Sequence, residues 1–227
     1  GGGHGDYHSV VLGPASCQEM FDFTRMAFDI ADRYRNTVII LGDGILGQMM
    51  EPIRINPKSR QAGKIGSPKP KKWALTGCKG RKPNIIKSLL LKEGALEELN
   101  RKLQKKFDLI KANEIRFEKY RTEDAEIIIV AYGTSSRISR ACVDRLRKDG
   151  IKAGLFRPIS LWPFPYNALR LQDKGKTKFL VVEMSAGQML EDVKLAVQDD
   201  KRIYFYGRMG GGVPGEEEII EKALKIK

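Results

Sequence analysis

The sequence is poor in cysteine and histidine and lacks any long apolar run. Its 227 residues include three cysteines and two histidines. Cys17, Cys78 and Cys142 lie far apart and form no C-x-x-C pair, which argues against a zinc or iron–sulfur site and predicts a reducing, cytoplasmic environment. Because no stretch of about 18 apolar residues occurs, we expect no membrane-spanning helix. The sequence shows no secretory signal pattern, and we predict no metal site within it.

Acidic residues are scarce in one segment, and this scarcity accounts for the whole net charge of +13. Residues 54–121, here called the basic segment, hold 20 Lys and Arg against 6 Asp and Glu, whereas the remainder holds 21 against 22. Such a charge favours nucleic acid. However, its Pro- and Lys-rich part offers no aromatic residue for base stacking apart from Trp73. We therefore expect a solvated strap, or one docked on an acidic partner subunit, rather than a nucleic-acid site.

The residues before the basic segment have the pattern of a βαβ unit. A buried strand is predicted at 9–12, a helix at 16–34 that Ser16 and Glu19 open as a capping box, and a second buried strand at 37–41. Two strands are too few for an independent parallel domain. The missing strands are therefore expected upstream of Gly1 or in another chain.

The residues after the basic segment have the pattern of a complete three-layer α/β domain. Strands are predicted at 127–132, 151–156, 179–184 and 203–206, and helices at 133–150, 164–171, 187–198 and 216–225. Residues 95–120 are predicted to be helical. The fold class is therefore α/β, divided into an incomplete first domain at 1–56, a basic linker with a helix at 57–122, and a second domain at 123–227.

Glycines surround an aspartate directly after the strand at 37–41, where open α/β sheets bind ligands. Residues 42–44 and Gly47 form G-x-G-x-x-G. A dinucleotide site needs a long helix after this motif and an acidic residue about 20 positions on. Pro52 allows only a short helical turn, and residues 61–70 contain no acid. The spacing therefore argues against a dinucleotide site.

The GDG at 42–44 also opens the diphosphate-and-magnesium motif of thiamine enzymes. In that motif an asparagine closes the sequence further along, but Asn56 lies too near and Asn84 too far. We interpret residues 42–44 as a tight turn that glycine permits.

Anion binding is predicted where the strand at 127–132 runs into a helix, because helix N-termini present free N–H groups. The candidate residues are Gly133, Thr134, Ser135, Ser136 and Arg137. An ordinary serine N-cap explains the same residues equally well. The loop at 210–215 also precedes a helix, but Glu216, Glu217 and Glu218 would repel phosphate there. We interpret that loop as a backbone contact surface.

The glycine-rich start contains both histidines. His4 and His8, with Asp6 and Tyr7, offer an acid–base cluster. Surface histidines on a loose terminus are the simpler interpretation of the same residues.

Seven stretches together resemble one family and cover nearly the whole chain. They read GGGHGDY, PASCQEMFDFTRMAFDIADRYRN, VIILGDGILGQMMEP, WALTGCKGRKPNIIKSL, EDAEIIIVAYGTSSRISR, RPISLWPFP and YFYGRMGGGVPG. With them, the chain resembles the alpha subunit of 2-oxoacid:ferredoxin oxidoreductases, most closely the 2-oxoisovalerate type. Relatives that use 2-oxoglutarate share many of these motifs and give the alternative substrate.

The resemblance implies the C-terminal part of a pyrimidine-binding domain for thiamine diphosphate at 1–56 and a transketolase-C-terminal-like domain at 123–227. It implies oxidative decarboxylation of a 2-oxoacid, with coenzyme A as co-substrate and ferredoxin as electron acceptor. The family's activating Glu and a basic substrate contact are expected upstream of Gly1, so the catalytic residues in this chain are unknown. Iron–sulfur clusters, and the magnesium–diphosphate half of the cofactor site, are expected in other subunits.

The resemblance also places the glycine-rich start near the cofactor. We expect His4 and Asp6 to border the thiamine cleft, with the start of the chain loose when it is isolated. The candidates for the substrate and cofactor cleft are Gly2, Gly3, His4, Asp6, Asp43 and Gly44. A non-catalytic scaffold or binding protein of the same fold is the alternative from a different class.

Overall fold

The computed structural model describes residues 2–3, 5–55, 71 and 73–226. Its first unit begins with the parallel strands β1 (Val10–Leu12) and β2 (Val38–Ile40), joined by helix α1 (Cys17–Tyr34). The short helix α2 (Gly44–Gln48) follows β2. The predicted βαβ unit is therefore present, and a single turn of helix follows it.

The first sheet gains a third strand from the far half of the chain. Strand β6 (Ser160–Trp162) pairs antiparallel with β1, so the strand order is β2-β1-β6. We had expected the missing strands upstream of Gly1 or in another chain, and one of them instead comes from this chain. Three residues are too few to show a strand period, and their partner β1 lies far away in sequence.

The second unit is a five-stranded sheet in the order β3-β5-β4-β7-β8, parallel except for the edge strand β3. Its strands are β3 (Phe117–Tyr120), β4 (Ile127–Ala131), β5 (Ala153–Pro158), β7 (Lys178–Glu183) and β8 (Ile203–Gly207). Its helices are α4 (Gly133–Lys148), α5 (Tyr166–Arg170), α6 (Gln188–Val197) and α7 (Glu216–Lys225), with a 3-10 turn at Asp200–Arg202.

Strand β4 lies at the centre of the second unit and is buried on both faces. On one face Ile129 packs in a cluster with residues of α4 and α7. On the other face Val130 packs in a cluster with residues of α5 and α6. An uninterrupted apolar run is what a parallel strand covered on both sides requires, so the predicted three-layer α/β fold is confirmed.

The helix predicted at 95–120 is shorter than expected. Helix α3 (Ala95–Asn113) ends before β3, which pairs with β5 at the edge of the second sheet. Phe117 stacks on Phe156 with ring centroids 5.4 Å apart, so tertiary pairing overrides the helical composition of this short segment. The linker predicted at 57–122 falls partly outside the described residues. Among the helices that the structure describes, none is long and apolar enough to cross a membrane.

Candidate functional site

The two units are joined at Asp43, which follows β2. Its carboxylate caps α2 by accepting from the Leu46 N–H at 2.9 Å, and it accepts from both the N–H and the hydroxyl of Thr134 at 2.8 Å. Gly133 has a φ of +58°, and a Cβ there would lie 2.9 Å from the Asp43 Oδ2. Residue 133 lies where the carboxyl ends of the two sheets meet. It must be glycine because its φ is positive and because a Cβ would crowd the Asp43 carboxylate.

The predicted anion site therefore already holds an anion from its own chain. The residue before α4, Tyr132, makes no side-chain cap bond, and the Asp43 carboxylate takes that role from the other unit. The Ser136 hydroxyl donates to the Gly133 carbonyl at 2.7 Å. The Ser135 hydroxyl is buried, and it has no hydrogen-bond partner among the residues described. The start of α4 is therefore capped by the Asp43 carboxylate, and it is neither an ordinary serine cap nor a vacant phosphate-binding site.

Arg137, the charged member of the predicted anion site, also faces the first unit. Its guanidinium pairs with Glu51 at 2.6 Å and donates to the Ala15 carbonyl at 3.2 Å. The pKa of the Glu51 carboxyl is lowered, first by the N–H that Cys17 donates to it and next by Arg137. Arg137 is thus committed to a carboxylate that stays ionised.

A cavity of about 160 Å³ lies at this meeting of sheet ends, lined by Leu41, Gly42, Asp43, Tyr132, Ser135 and Met184. Burial raises the pKa of the Tyr132 hydroxyl, and the charges of Glu183 and Asp43 raise it further. Glu183 is fully buried and accepts from Ser185 at 2.6 Å and from the Met189 N–H at 3.1 Å. The carboxylates of Asp43 and Glu183 lie close to this small cavity. They disfavour binding of a diphosphate there and favour binding of a neutral group.

A second joint lies at Arg157 of β5, which is 6% exposed. Its guanidinium pairs with Glu19 at 3.0 Å and with Glu118 at 3.2 Å, and it donates to the Gly13 carbonyl at 3.4 Å. Glu19 was predicted to reach back to the N-cap of α1. Its carboxylate instead accepts from the Ala15 N–H at 2.8 Å and from Arg157. The Ser16 half of the capping box is present, since its hydroxyl accepts from the Glu19 N–H.

Around this joint is a cavity of about 260 Å³ whose charges balance. Arg137 pairs with Glu51, Arg140 and Arg157 pair with Glu118, and Arg157 also pairs with Glu19. Because each cation of this cavity already has a carboxylate partner, the cavity serves to join the two units and offers little to an anionic ligand.

A third contact fastens the end of α3 and was not foreseen from the sequence. Glu114 is fully buried and accepts from Arg33 at 3.0 Å, from Arg116 at 2.9 Å and from the Tyr34 hydroxyl at 2.9 Å. The sequence offered no signal for these contacts, because Arg33 and Tyr34 lie 81 and 80 residues before Glu114.

The glycine-rich start lies at the amino end of β1, whereas Asp43 and Gly44 lie beyond the carboxyl end of β2. Since these strands are parallel, the described candidates Gly2, Gly3 and Asp6 lie at the opposite end of the sheet from Asp43 and Gly44. Asp6 contacts Asn100 at 3.4 Å and Gln104 at 3.3 Å, both on α3. The two groups therefore do not share one cleft within this chain.

The described part of the start makes contacts within itself and with the first unit. The Tyr7 hydroxyl donates to the Gly2 carbonyl at 2.9 Å, and Gly2 and Gly3 have φ values of +98° and +148°. His8 stacks on Trp162 with ring centroids 4.6 Å apart. The expectation of a loose terminus with two surface histidines is therefore wrong for His8.

His8 is packed as an aromatic ring of the first unit. It meets Phe107 edge-on with ring centroids 5.1 Å apart, in addition to its stack on Trp162. Burial lowers the pKa of the His8 imidazole, and the charge of Lys111 lowers it further. Its partner in the predicted acid–base cluster, His4, lies outside the described residues, as does Gly1.

An open groove of about 400 Å³ lies between the glycine-rich start and α3. It is lined by Gly5, Asp6, His8, Glu97, Asn100, Arg101 and Gln104. The groove combines the carboxylates of Asp6 and Glu97 with the His8 imidazole, the Arg101 guanidinium and two side-chain amides, which suits hydrogen bonding to a polar organic molecule.

The described residues do not fit the diphosphate-and-magnesium half of a thiamine site. Magnesium requires several oxygen ligands, and the described stretches bring no three His, Cys, Asp or Glu side chains together. Both oxygens of Asp43 already accept hydrogen bonds.

Two family models match the chain in order. Residues 4–114 match pyruvate flavodoxin/ferredoxin oxidoreductase, thiamine diphosphate-binding, and residues 125–219 match pyruvate:ferredoxin oxidoreductase core domain II. These matches fall on the first unit with α3 and on the second unit. The chain belongs to the 2-oxoacid:ferredoxin oxidoreductase family.

Within this family, the chain is similar to subunits that differ in substrate. It is 45% identical to the ketoisovalerate oxidoreductase subunit VorB of Methanothermobacter marburgensis, over all of this chain and 62% of that protein. The VorB subunit of Methanothermobacter thermautotrophicus is 42% identical, with the same coverage. The 2-oxoglutarate synthase subunit KorA of the latter organism is 32% identical over 99% of this chain and 65% of that protein. The chain thus spans 62% of the length of the VorB relatives.

Solved structures confirm the fold. A 2-oxoglutarate:ferredoxin oxidoreductase from Magnetococcus marinus, with 2-oxoglutarate, coenzyme A and succinyl-CoA bound, aligns with a TM-score of 0.75 and 21% identity over 99% of this chain and 43% of that chain. A split-gene transketolase aligns with a TM-score of 0.51 and 13% identity over 96% of this chain and 58% of that chain. At these identities the likeness concerns the fold alone.

Proposed function

We propose that the chain works as part of the alpha subunit of a thiamine-dependent 2-oxoacid:ferredoxin oxidoreductase. The observation that carries this proposal is the order of the two family matches, over 4–114 and 125–219, in a chain that is 45% identical to a VorB subunit. The reaction is oxidative decarboxylation of a 2-oxoacid to an acyl-CoA, with reduction of ferredoxin.

A branched-chain 2-oxoacid is the substrate we favour. Identity to the two VorB subunits is 45% and 42%, against 32% for the KorA subunit of Methanothermobacter thermautotrophicus. The KorA relatives span nearly the same part of the chain, which makes 2-oxoglutarate the second candidate.

This chain supplies the frame and one border of the cofactor cleft. We assign Gly2, Gly3, His4 and Asp6 to that border, because the groove beside Asp6 and His8 is the polar opening at the amino end of β1. Asp43 acts as a positioning residue, since its carboxylate is committed to Thr134 and to α2. Gly44, as the first residue of α2, shares that positioning role.

The remaining cofactors are assigned to partner subunits of the complex. The magnesium–diphosphate half of the thiamine site and the iron–sulfur clusters would lie there, and ferredoxin would dock there. We place the complex in the cytoplasm, because Cys17, Cys78 and Cys142 are all free thiols.

The test is a substrate panel on the assembled complex. The full-length subunit is co-expressed with the other subunits of its complex, and ferredoxin reduction is followed with thiamine diphosphate, magnesium and coenzyme A present. We expect the highest kcat/KM with 3-methyl-2-oxobutanoate. A higher kcat/KM with 2-oxoglutarate would favour the second candidate. If no 2-oxoacid is oxidised, the alternative of a non-catalytic scaffold protein is favoured instead.

The same complex tests the cleft border. His4→Ala should lower kcat or raise KM while changing the free energy of unfolding by no more than about 0.5 kcal/mol, as for a surface substitution. Lys222→Ala, on the far helix α7, is the control. If kcat and KM of His4→Ala are unchanged for every 2-oxoacid of the panel, His4 does not border the cleft.

A further inference from the structure

Residues 73–94, here called the docking segment, expose an unusual amount of aliphatic surface. Five of their side chains are between 63% and 84% exposed: Leu75, Ile85, Ile86, Leu89 and Leu91. Apolar side chains scattered singly on a surface are ordinary, but a contiguous group marks an interaction site. Four of these five lie within residues 85–91, so the group is contiguous in sequence.

The docking segment is irregular in backbone structure. Residues 73–94 form neither helix nor strand. Two hydrogen bonds lie within the segment: the Asn84 side chain donates to the Ala74 carbonyl at 3.2 Å, and Arg81 donates to the Lys82 carbonyl at 2.9 Å. An extended segment with exposed apolar side chains is the kind of element that gains order by pairing with another protein surface.

Beside the docking segment is a cavity of about 610 Å³ that a side chain from a partner can enter. Its lining includes Arg35, Trp73, Ile85, Ile86, Lys87 and Leu99. Its lining therefore mixes apolar side chains with two cations. Pockets that receive a partner's side chain are common anchoring points of protein interfaces.

The surface continues onto α1. Asp32 of that helix forms an ion pair with Lys71, and Phe28, one turn earlier, is 71% exposed. Phe21 is also exposed on this helix. Positions 21, 28 and 32 fall on one side of the helix, and the Asp32–Lys71 pair brings that side of α1 close to the residues just before the docking segment.

The positive charge of the docking segment indicates the chemistry of the surface that would bind it. It carries five cations, Lys79, Arg81, Lys82, Lys87 and Lys92, against the single acid Glu93. A second copy of this chain would bring the same positive charge to the contact, and like charges face each other only at a cost. The complementary surface is therefore acidic at its rim and apolar at its centre.

Nucleic acid fits the exposed side chains less well than a protein does. The exposed apolar residues of the docking segment are aliphatic and offer no ring for base stacking. The one tryptophan there, Trp73, already contacts two cations, with Arg35 and Lys71 each 5.2 Å from its ring centroid.

We infer that the docking segment, with the exposed face of α1, binds an acidic, apolar-centred surface on another subunit of the same oxidoreductase. This inference rests on the proposed function for the identity of the partner. The aliphatic side chains would supply the buried centre of the interface, and the surrounding lysines would steer the encounter.

The test compares matched pairs of substitutions in the full-length subunit. Ile85→Glu with Leu89→Glu reverses the character of the docking segment. Leu171→Glu with Leu195→Glu does the same at two positions of the second unit that are 81% and 63% exposed. We expect the first pair to weaken binding to the other purified subunits by about tenfold or more, and the second pair to leave it within about twofold.

Hydrogen exchange on the wild-type complex gives a readout that does not depend on a variant. Amides of residues 82–91 should exchange more slowly in the complex than in the free subunit. Charge reversal by Lys82→Glu with Lys87→Glu should lower the association rate, and added salt should reduce the difference from wild type.

Three results would overturn the inference. The first is equal exchange of residues 82–91 in the free and assembled subunit while the complex still oxidises 2-oxoacids, which leaves the proposed function intact. The second is dimerisation of the free subunit that Ile85→Glu with Leu89→Glu abolishes. The third is salt-dependent binding of a single-stranded oligonucleotide that the same pair abolishes. Loss of 2-oxoacid oxidation with normal assembly would instead count against the proposed function.

Discussion

The two sheets of this chain differ in how they are completed. The five-stranded sheet is covered on both faces by helices of its own unit, and its central strand is fully buried. The three-stranded sheet has a half-buried edge strand, β2, and takes its third strand from beyond β5. Its core cluster also includes Phe107 and Ile110 of α3. The first unit therefore depends on elements contributed from elsewhere in the chain, whereas the second unit supplies its own core.

This difference explains why polar joints concentrate between the units. Asp43 with Thr134, and Glu19 with Arg157, tie the βαβ unit to the sheet that carries most of the apolar core. Fixed hydrogen bonds to charged groups set orientation as well as stability. The second unit thus serves as the platform on which the first is oriented.

The largest effect is expected from truncating equivalent isoleucines of the two sheets. Ile129→Ala in β4 should lower the free energy of unfolding by about 4 kcal/mol, because Ile129 is fully buried and its loss leaves a cavity. Ile39→Ala in the half-buried β2 should cost about 1 kcal/mol. Urea denaturation measures both changes. Equal losses of unfolding free energy in the two variants would show that the two sheets are equally well packed, and would contradict the proposed difference between them.

A smaller effect is expected at the Asp43 joint. Asp43→Asn should cost about 2 kcal/mol, because it replaces charge-assisted hydrogen bonds to Thr134. A double-mutant cycle with Thr134→Val should show a coupling of about 1 kcal/mol. Asp22→Asn on the exposed face of α1 is the control. Strict additivity in the cycle would mean that the Thr134 hydroxyl contributes nothing to the joint.

The smallest effect is a pH dependence confined to the first unit. The folded-state pKa of His8 lies below its ordinary value of 6.5 because of burial, so the unfolded chain binds the proton more readily. The stabilisation is complete above pH 6.5 and declines as the pH falls below it. Urea midpoints at pH 7.5 and 5.5 should differ less in His8→Gln than in wild type. Identical pH dependence of the urea midpoint in wild type and His8→Gln would show that the His8 imidazole is not the group responsible.

Local sequence pattern was sufficient for the elements that bury their own surface. The run of five apolar residues at 127–131 predicted β4, and the last helix was predicted at the residues where α7 lies. Strands β3 and β6 were missed, because each is three or four residues long and pairs antiparallel with a strand distant in sequence. Such strands are defined by their partners rather than by their own composition.

The site shows the same division between local and tertiary information. Asp43 and Thr134 were both singled out from the sequence, one as a cleft candidate and the other as an anion contact. Their separation of 91 residues gave no indication that one binds the other. Arg157 and Glu114 were missed for a related reason, since a buried charge becomes visible only when its partners are known.

The pairing of β1 with β6 also orders events during synthesis. Leu12 leaves the ribosome long before Ser160, its partner across the first sheet. At about 5–20 residues per second, this interval is on the order of ten seconds. Throughout it, β1 lacks the antiparallel partner that β6 provides in the folded chain. The β1–β2 pair therefore gains its third strand only after β3, β4 and β5 of the second unit have been made, and the nascent protein must keep this edge of β1 from pairing elsewhere until Ser160 has emerged.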